Sequence, residues 1–195
     1  NFYLEKFDSR FVSSTYLFVL RVPDLLPDMG LFWYFFTEMF DHFVTFFTYV
    51  FQLNAFVYTL PLAIRLYNAP LVNAILQMAI VAVFKSYPSM AETGLYLSLM
   101  PCIVAYLFPL MRNFLVYSCM FLVAIVLAPV MFYLWVGSGG GNANFYFAIT
   151  LVYSVAQIFL IIDVLYAHLK REFIKVNGID NPKDKNGKLA KFSLD

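Results

Sequence analysis

Two stretches of this chain carry no charge over nearly the thickness of a membrane, Phe114 to Trp135 and Phe145 to Ile162. Each approaches the roughly 20 residues that a helix needs to cross a bilayer. A run of that kind restricts the backbone to helix, because every N–H and C=O must find its partner within the segment. The rest of the chain agrees: 62% of residues are hydrophobic and only 13% are charged, too few to cover a soluble domain. A β-barrel would alternate over roughly 10-residue segments, and no such alternation is present. The fold class is therefore all-α, a polytopic helical membrane protein. The net charge of +1 comes with no basic patch interleaved with aromatics, which argues against nucleic acid. Cys102 and Cys119 lie in apolar runs and read as small buried packing residues.

The remaining segments follow from breakers and charges. Phe11 to Val22 is apolar but short. "VPDLLPDMG" is a break, with Asp28 placed to cap a following helix. A helical run is expected from Leu31 to Leu60, ending near Pro61. Leu71 to Phe84 is short for a span and reads as a re-entrant piece or a span in a thin region. Leu95 to Met111 carries Pro101 and Pro109, which predicts a kinked or broken helix. Phe114 to Val136 and Phe145 to Ala167 are spans, joined by the flexible "GSGGGNAN". Residues 1–169 thus form a multi-span domain and residues 170–195 a basic tail. Lysines and arginines of that tail place it in the cytosol. Alternation then puts Arg112 and Arg65 inside, and Gly30, Lys85 and the Gly/Asn loop outside, with Lys85 alone on the wrong side.

"GLFWYFFTEMFDHF", residues 30–43, packs seven aromatics around Glu38, Asp41 and His42. Projected at about 100° per residue, Glu38, Asp41, His42, Thr45, Tyr49 and Gln52 share one stripe. Phe36, Phe40, Phe43, Phe47 and Phe51 take the opposite face. A charge at the bilayer centre costs at least about 2.5–3.5 kcal/mol on insertion scales, so the stripe should meet protein, water or headgroups. It reads either as a groove wall beside a lipid or as a packing face with Glu38 and His42 paired at i, i+4. Trp33 and Tyr34 suit the membrane interface. One His with two acids is not a specific catalytic signature.

"GLFWYFFTEMFDHF", "NAFVYTLPLAIRL", "VAVFKSYPS" and "NANFYFAIT", in this order, closely resemble the PIG-U family. The resemblance runs from about Arg21 to Gly178 and matches the C-terminal part of that family, so the chain is read as the end of a larger membrane protein. It departs in the extra glycines of "GSGGGNAN" and in its tail. The resemblance implies a non-catalytic subunit of the glycosylphosphatidylinositol (GPI) transamidase in the endoplasmic reticulum membrane, working with the PIG-K, PIG-T, PIG-S and GPAA subunits. It implies that the chain helps bind and present the GPI lipid, with no cofactor. The family's lipid-site positions fall on Phe32, Asn142 and Asn144.

The residues themselves leave other readings open. Asn144 could cap the last helix, the glycine loop could offer N–H groups to phosphate or be a plain linker, and Phe32 could be an interface ring. Asp163 is expected to face protein or to snorkel to water. Cys119 has no histidine at helical spacing, so no nucleophile is assigned. His42 and His168 lie far apart, so no metal site is assigned and elongase-type iron chemistry has no ligand cluster. Two other classes stay in view. One is a membrane enzyme of glycosyltransferase-like or lipid-modifying type. The other is a transporter whose Glu38–Gln52 stripe faces water.

Overall fold

In the computed structural model, residues 9–177 are described, and all their regular structure is helical. The chain opens with α1 (Ser9–Val12), a π turn (Ser13–Leu17) and α2 (Phe18–Arg21). Next come α3 (Phe32–Glu38), α4 (Asp41–Val57), α5 (Thr59–Arg65), α6 (Pro70–Phe84), α7 (Met90–Leu99) and α8 (Pro101–Leu107). A 3-10 turn (Phe108–Leu110), α9 (Phe114–Phe132), a second π turn (Tyr133–Gly137) and α10 (Ala143–Asn177) complete it. Among the described residues, three helical stretches are long and apolar enough to cross a membrane: Asp41–Arg65, Phe114–Gly137 and Ala143–Val176. A fourth is the pair α7 and α8, bent by 52°. The bend falls where Pro101 removes a backbone donor and pushes against the preceding turn. The all-α membrane class holds.

The antiparallel pair α9 and α10 forms the spine. Small residues, Ala124 and Ala156, are fully buried in the core, which lets helices approach closely in a bundle that gains little from hydrophobic burial against lipid. Phe121 meets Tyr153 edge to face, with ring centroids 5.8 Å apart. The helices α6, α7 and α8 supply Ile75, Leu76, Tyr96, Ile103 and Leu107 to the same core. Gln157 of α10 is buried, and its Oε1 accepts from Tyr96 OH at 3.1 Å and Thr93 Oγ1 at 3.3 Å.

At one end of the spine Asp163 is 2% exposed. Its carboxylate oxygens accept the backbone N–H of Arg112 at 2.8 Å and of Asn113 at 3.1 Å. These donors precede α9, where helix N–H groups have no partner of their own. The Arg112 guanidinium lies over the Tyr166 ring, 3.9 Å from its centroid, and donates to that residue's OH. Asp163 therefore faces protein and ties the start of α9 to α10.

Several expectations are corrected. The run 31–60 is not one helix. Met39 and Phe40 are extended, with ψ of 139° and 136°, and separate α3 from α4. Pro61 does not end the run, because it lies in the first turn of α5, where a missing N–H costs little. The last helix continues past Ala167 and Lys170 to Asn177, so the proposed tail begins as helix. Its remainder, from 178, lies outside the described residues. Cys102 and Cys119 are exposed, not buried; they sit on outward faces of α8 and α9.

Removing Asp163 strands two backbone N–H groups, each at about 1–3 kcal/mol. Asp163→Ala is expected to lower the thermal midpoint of the detergent-solubilised full-length protein. Asp163→Asn, which keeps an acceptor, is expected to lower it less. Equal midpoints for both variants and the native protein would remove the clamp.

Candidate functional site

Three connections meet at the end of the bundle opposite Asp163: residues 22–31, 85–89 and 137–142. Each is fastened by side chains. Val22 closes α2 in the left-handed region, with φ of 50°, an uncommon conformation for a β-branched residue. Its side chain is nonetheless buried beside Phe32 and Phe36. The carbonyl of Val19, left over at the end of α2, accepts from Ser86 Oγ at 2.8 Å and Gln52 Nε2 at 2.9 Å. The Asp24 N–H donates to Tyr87 OH at 3.1 Å. Tyr87 stacks on Phe18 at 5.3 Å. Lys85 pairs with Glu92, which also closes the Ser89 capping box at the start of α7. This pairing neutralises the one lysine that the orientation argument finds on the wrong side.

Asp28 does not cap α3. Its Oδ1 accepts the Gly30 N–H at 2.6 Å, a turn two residues long, and Leu31 at the helix start makes no side-chain cap. Gly30 is required there, since a Cβ would lie 2.4 Å from Pro88 Cγ. Burial pushes the Asp28 carboxyl up to about 6 from its ordinary 3.8, against the opposing pull of the Gly30 bond.

From this turn α3 crosses the junction with an aromatic on each side. Phe32 stacks on Phe36 at 5.3 Å and meets Phe51 of α4 edge to face at 5.0 Å. On the other side Trp33 stacks on Trp135 at 5.9 Å, beside Tyr146. Tyr34 lies parallel to Phe147, with centroids 3.9 Å apart and planes at 10°. Such ring pairs add about 0.5–1.5 kcal/mol beyond their area. Trp33 is therefore buried and not an interface ring, and among the described residues its indole N–H has no partner.

The expected lipid-site residues all lie at this end. Phe32 is 2% exposed and turned into the α3–α4 packing, so it is neither an interface ring nor a free surface. Asn142 and Asn144 are exposed. Asn142, not Asn144, caps α10: its Oδ1 accepts the Asn144 N–H at 3.1 Å. Asn144 Oδ1 accepts the Tyr34 OH at 2.7 Å, joining α3 to α10. Tyr34 and Phe147 were not among the expected site residues, and no local signal links positions so distant.

The polar stripe behaves differently from expectation. The break at Met39 and Phe40 separates Glu38 from the rest. Asp41 heads α4, where a carboxylate suits the positive helix end. Glu38, Asp41, His42, Thr45 and Tyr49 are exposed, and among the described residues no bond joins Glu38 to His42. It is part of the aromatic face that packs inward, through Phe36, Phe47 and Phe51, while Phe40 and Phe43 stay exposed.

A profile of the family described as GPI transamidase subunit PIG-U matches residues 1–153. This chain belongs to the PIG-U family. It is 46% identical over 169 residues to the human "GPI-anchor transamidase component PIGU", covering 87% of this chain and 39% of the relative. It is 38% identical over 173 residues to the "GPI transamidase component GAB1" of Saccharomyces cerevisiae, covering 89% of this chain and 43% of the relative. The chain thus spans about two fifths of the length of these curated PIG-U relatives.

Two outcomes follow for the junction. Gly30→Ala should destabilise it, and Pro88→Ala in the same protein should restore part of the loss, read as thermal midpoints. No rescue would mean that the close approach does not set the cost. An acid whose folded pKa is raised binds more protons folded than unfolded between about pH 4 and 6, so its stabilising effect falls as pH rises through that window. The native midpoint at pH 4.5 minus that at pH 7 should therefore exceed the same difference in Asp28→Asn. Identical differences would contradict the burial of Asp28.

Proposed function

We propose that this chain is a membrane-embedded part of a non-catalytic GPI transamidase subunit, and that its loop end holds the GPI lipid for attachment to proteins. What supports this reading is that Phe32, Asn142 and Asn144, the positions that the resemblance to PIG-U implies for the lipid site, lie at the same loop end, Phe32 packed on the α4 side of α3 and Asn144 bonded to Tyr34 on the other. Phe32 sets α3 in place from behind, and the exposed asparagines offer the contacts. The site is amphipathic, as a lipid with a polar head and membrane-bound tails requires. The partners implied are the PIG-K, PIG-T, PIG-S and GPAA subunits in the endoplasmic reticulum membrane. In this reading the chemistry belongs to a partner, as the resemblance to PIG-U implies.

The proposed orientation puts the loop end in the lumen and the C-terminus in the cytosol. Arg65, Arg112, Lys170 and Arg171 all belong to the end away from the Gly/Asn loop, which fits the positive-inside bias. The residues from 170 onward serve as the cytosolic tail.

Asn142→Ala with Asn144→Ala, placed in the full-length protein in cells lacking their own copy, should reduce surface display of a GPI-anchored reporter. Co-purification of the other subunits should persist, because cap loss costs only about 1 kcal/mol. Normal display would exclude the site, and lost co-purification would assign the asparagines a structural role instead. A tag after Asp195 should be cleaved by protease added to sealed microsomes; protection would reverse the orientation.

A further inference from the structure

We propose that a cationic cluster between the ends of α5 and α10, at the end of the bundle away from the Gly/Asn loop, takes the phosphate of a net-anionic phospholipid from the membrane surface there. This does not rest on the lipid-site reading above, because it uses other residues at the opposite end.

His168, Arg171 and Lys175 fall at i, i+3 and i+7 of α10 and so share one face. Arg65, at the end of α5, completes the cluster: its charge, like those of Glu172, Arg171 and Lys175, is near enough to act on the His168 ring. Leu66, the next residue, packs in the same core as Val164 and Ala167 of α10. The Arg171 guanidinium lies over the Tyr106 ring of α8, 4.2 Å from its centroid, which fixes where its N–H groups stand. Glu172 is the acid of the cluster, and Lys175 takes it at 3.4 Å. Among the described residues neither Arg65 nor Arg171 has a carboxylate or hydrogen-bond partner. His168 is only 6% exposed, and among the described residues its Nδ1 has no partner.

Helix dipoles do not account for this cluster. Arg65 and Lys175 lie in last turns, where a cation suits the carbonyl end, but His168 and Arg171 lie more than a turn before α10 ends at Asn177. The membrane level does account for it. Arg65 is the last residue of the stretch Asp41–Arg65, and Arg171 and Lys175 lie near the end of Ala143–Val176, so the cations meet at headgroup depth. Ile64 and Tyr67 beside Arg65 are exposed and offer an apolar surface to acyl chains. Three cations, Arg65, Arg171 and Lys175, against one acid, Glu172, leave a surplus of positive charge. That surplus attracts a net-anionic headgroup and repels the ammonium of a zwitterionic one. The planar guanidinium fork matches phosphate oxygens, and basic pockets between membrane helices are where such headgroups bind. The imidazole of His168, short of a partner beside them, supplies a further N–H directly or through a water.

The test uses the detergent-purified complex containing the full-length protein and a phosphatidylinositol that carries a diazirine at the headgroup end of one acyl chain. After irradiation and chymotryptic digestion, mass spectrometry should find the lipid on the segments 60–67 and 168–176. The yield there against lipid concentration gives a half-saturating concentration for this site alone. Unlabelled phosphatidylinositol should compete, whereas phosphatidylcholine and inorganic phosphate should compete at least about 10-fold less well, as a charge-selected lipid site requires. Arg65→Gln and Arg171→Gln should each raise the half-saturating concentration about 5-fold, the worth of one basic residue at a charged membrane surface. Arg65→Lys with Arg171→Lys keeps both charges and should lose less than the glutamine pair. Asn142→Ala with Asn144→Ala should leave the yield on these two segments unchanged, which separates this site from the loop end. Absence of cross-links on both segments of the native complex would overturn the site, whatever the variants do. Equal competition by phosphatidylcholine would overturn its selectivity for anionic lipid, and equal competition by inorganic phosphate would make it a site for a free ion. An unchanged half-saturating concentration in the assembled glutamine pair would remove the arginines from it.

Discussion

A fifteen-residue helix is too short to cross a bilayer, and much of the loop end follows from that. α6 rises about 22 Å at 1.5 Å per residue, against a hydrocarbon core of about 30 Å. One of its ends must therefore sit within the membrane or under protein, where an unpaired polar group costs several kcal/mol. The connection after α6 meets that demand group by group. Lys85 has Glu92, Ser86 has the Val19 carbonyl, Tyr87 has the Asp24 N–H, and Ser89 with Glu92 closes a capping box. Three of these partners come from α2 and its following turn or from α7, so satisfying α6 also gathers the neighbouring segments.

Once gathered, they give α3 its place. Gly30 lets the chain press against Pro88, and the helix that begins two residues later lies between α4 and the start of α10. Its aromatics divide by side: Phe32 and Phe36 toward Phe51, Trp33 and Tyr34 toward Trp135 and Phe147. The asparagines at the head of α10 are then met by a phenol from 110 residues earlier. At the opposite end Asp163 binds the start of α9, so the two long helices that carry the loop are pinned where they are farthest from it. A support of that kind is what the proposed binding loop would need to hold its contacts in place.

Much of this was legible in the residues. Long uncharged runs leave helix as the only choice in lipid, and Pro101 marked the bend correctly. Alternation of the expected spans also anticipated which turns share an end. Three things were hidden for physical reasons. The break at Met39 and Phe40 uses neither Gly nor Pro, and two extended residues suffice to end a helix without either. In "NAN" both asparagines are good caps, and only the helix start at Ala143 decides that Asn142 takes the role. The Tyr34–Asn144 bond and the inward turn of Phe32 depend on tertiary packing, which periodicity within one helix cannot report. The cysteines were misjudged because a small apolar residue suits a lipid-facing helix surface as well as a core.

The central claim is that α3 lies against the head of α10 and so brings the aromatic run to the asparagine loop. It is tested most directly by placing a photoreactive benzophenone amino acid at position 34 of the full-length protein in native membranes. After irradiation and digestion, the expected product is a cross-link from residue 34 into the segment Asn142–Phe147, found by mass spectrometry. Cross-links confined to α4 or to lipid, with none into that segment, would contradict it.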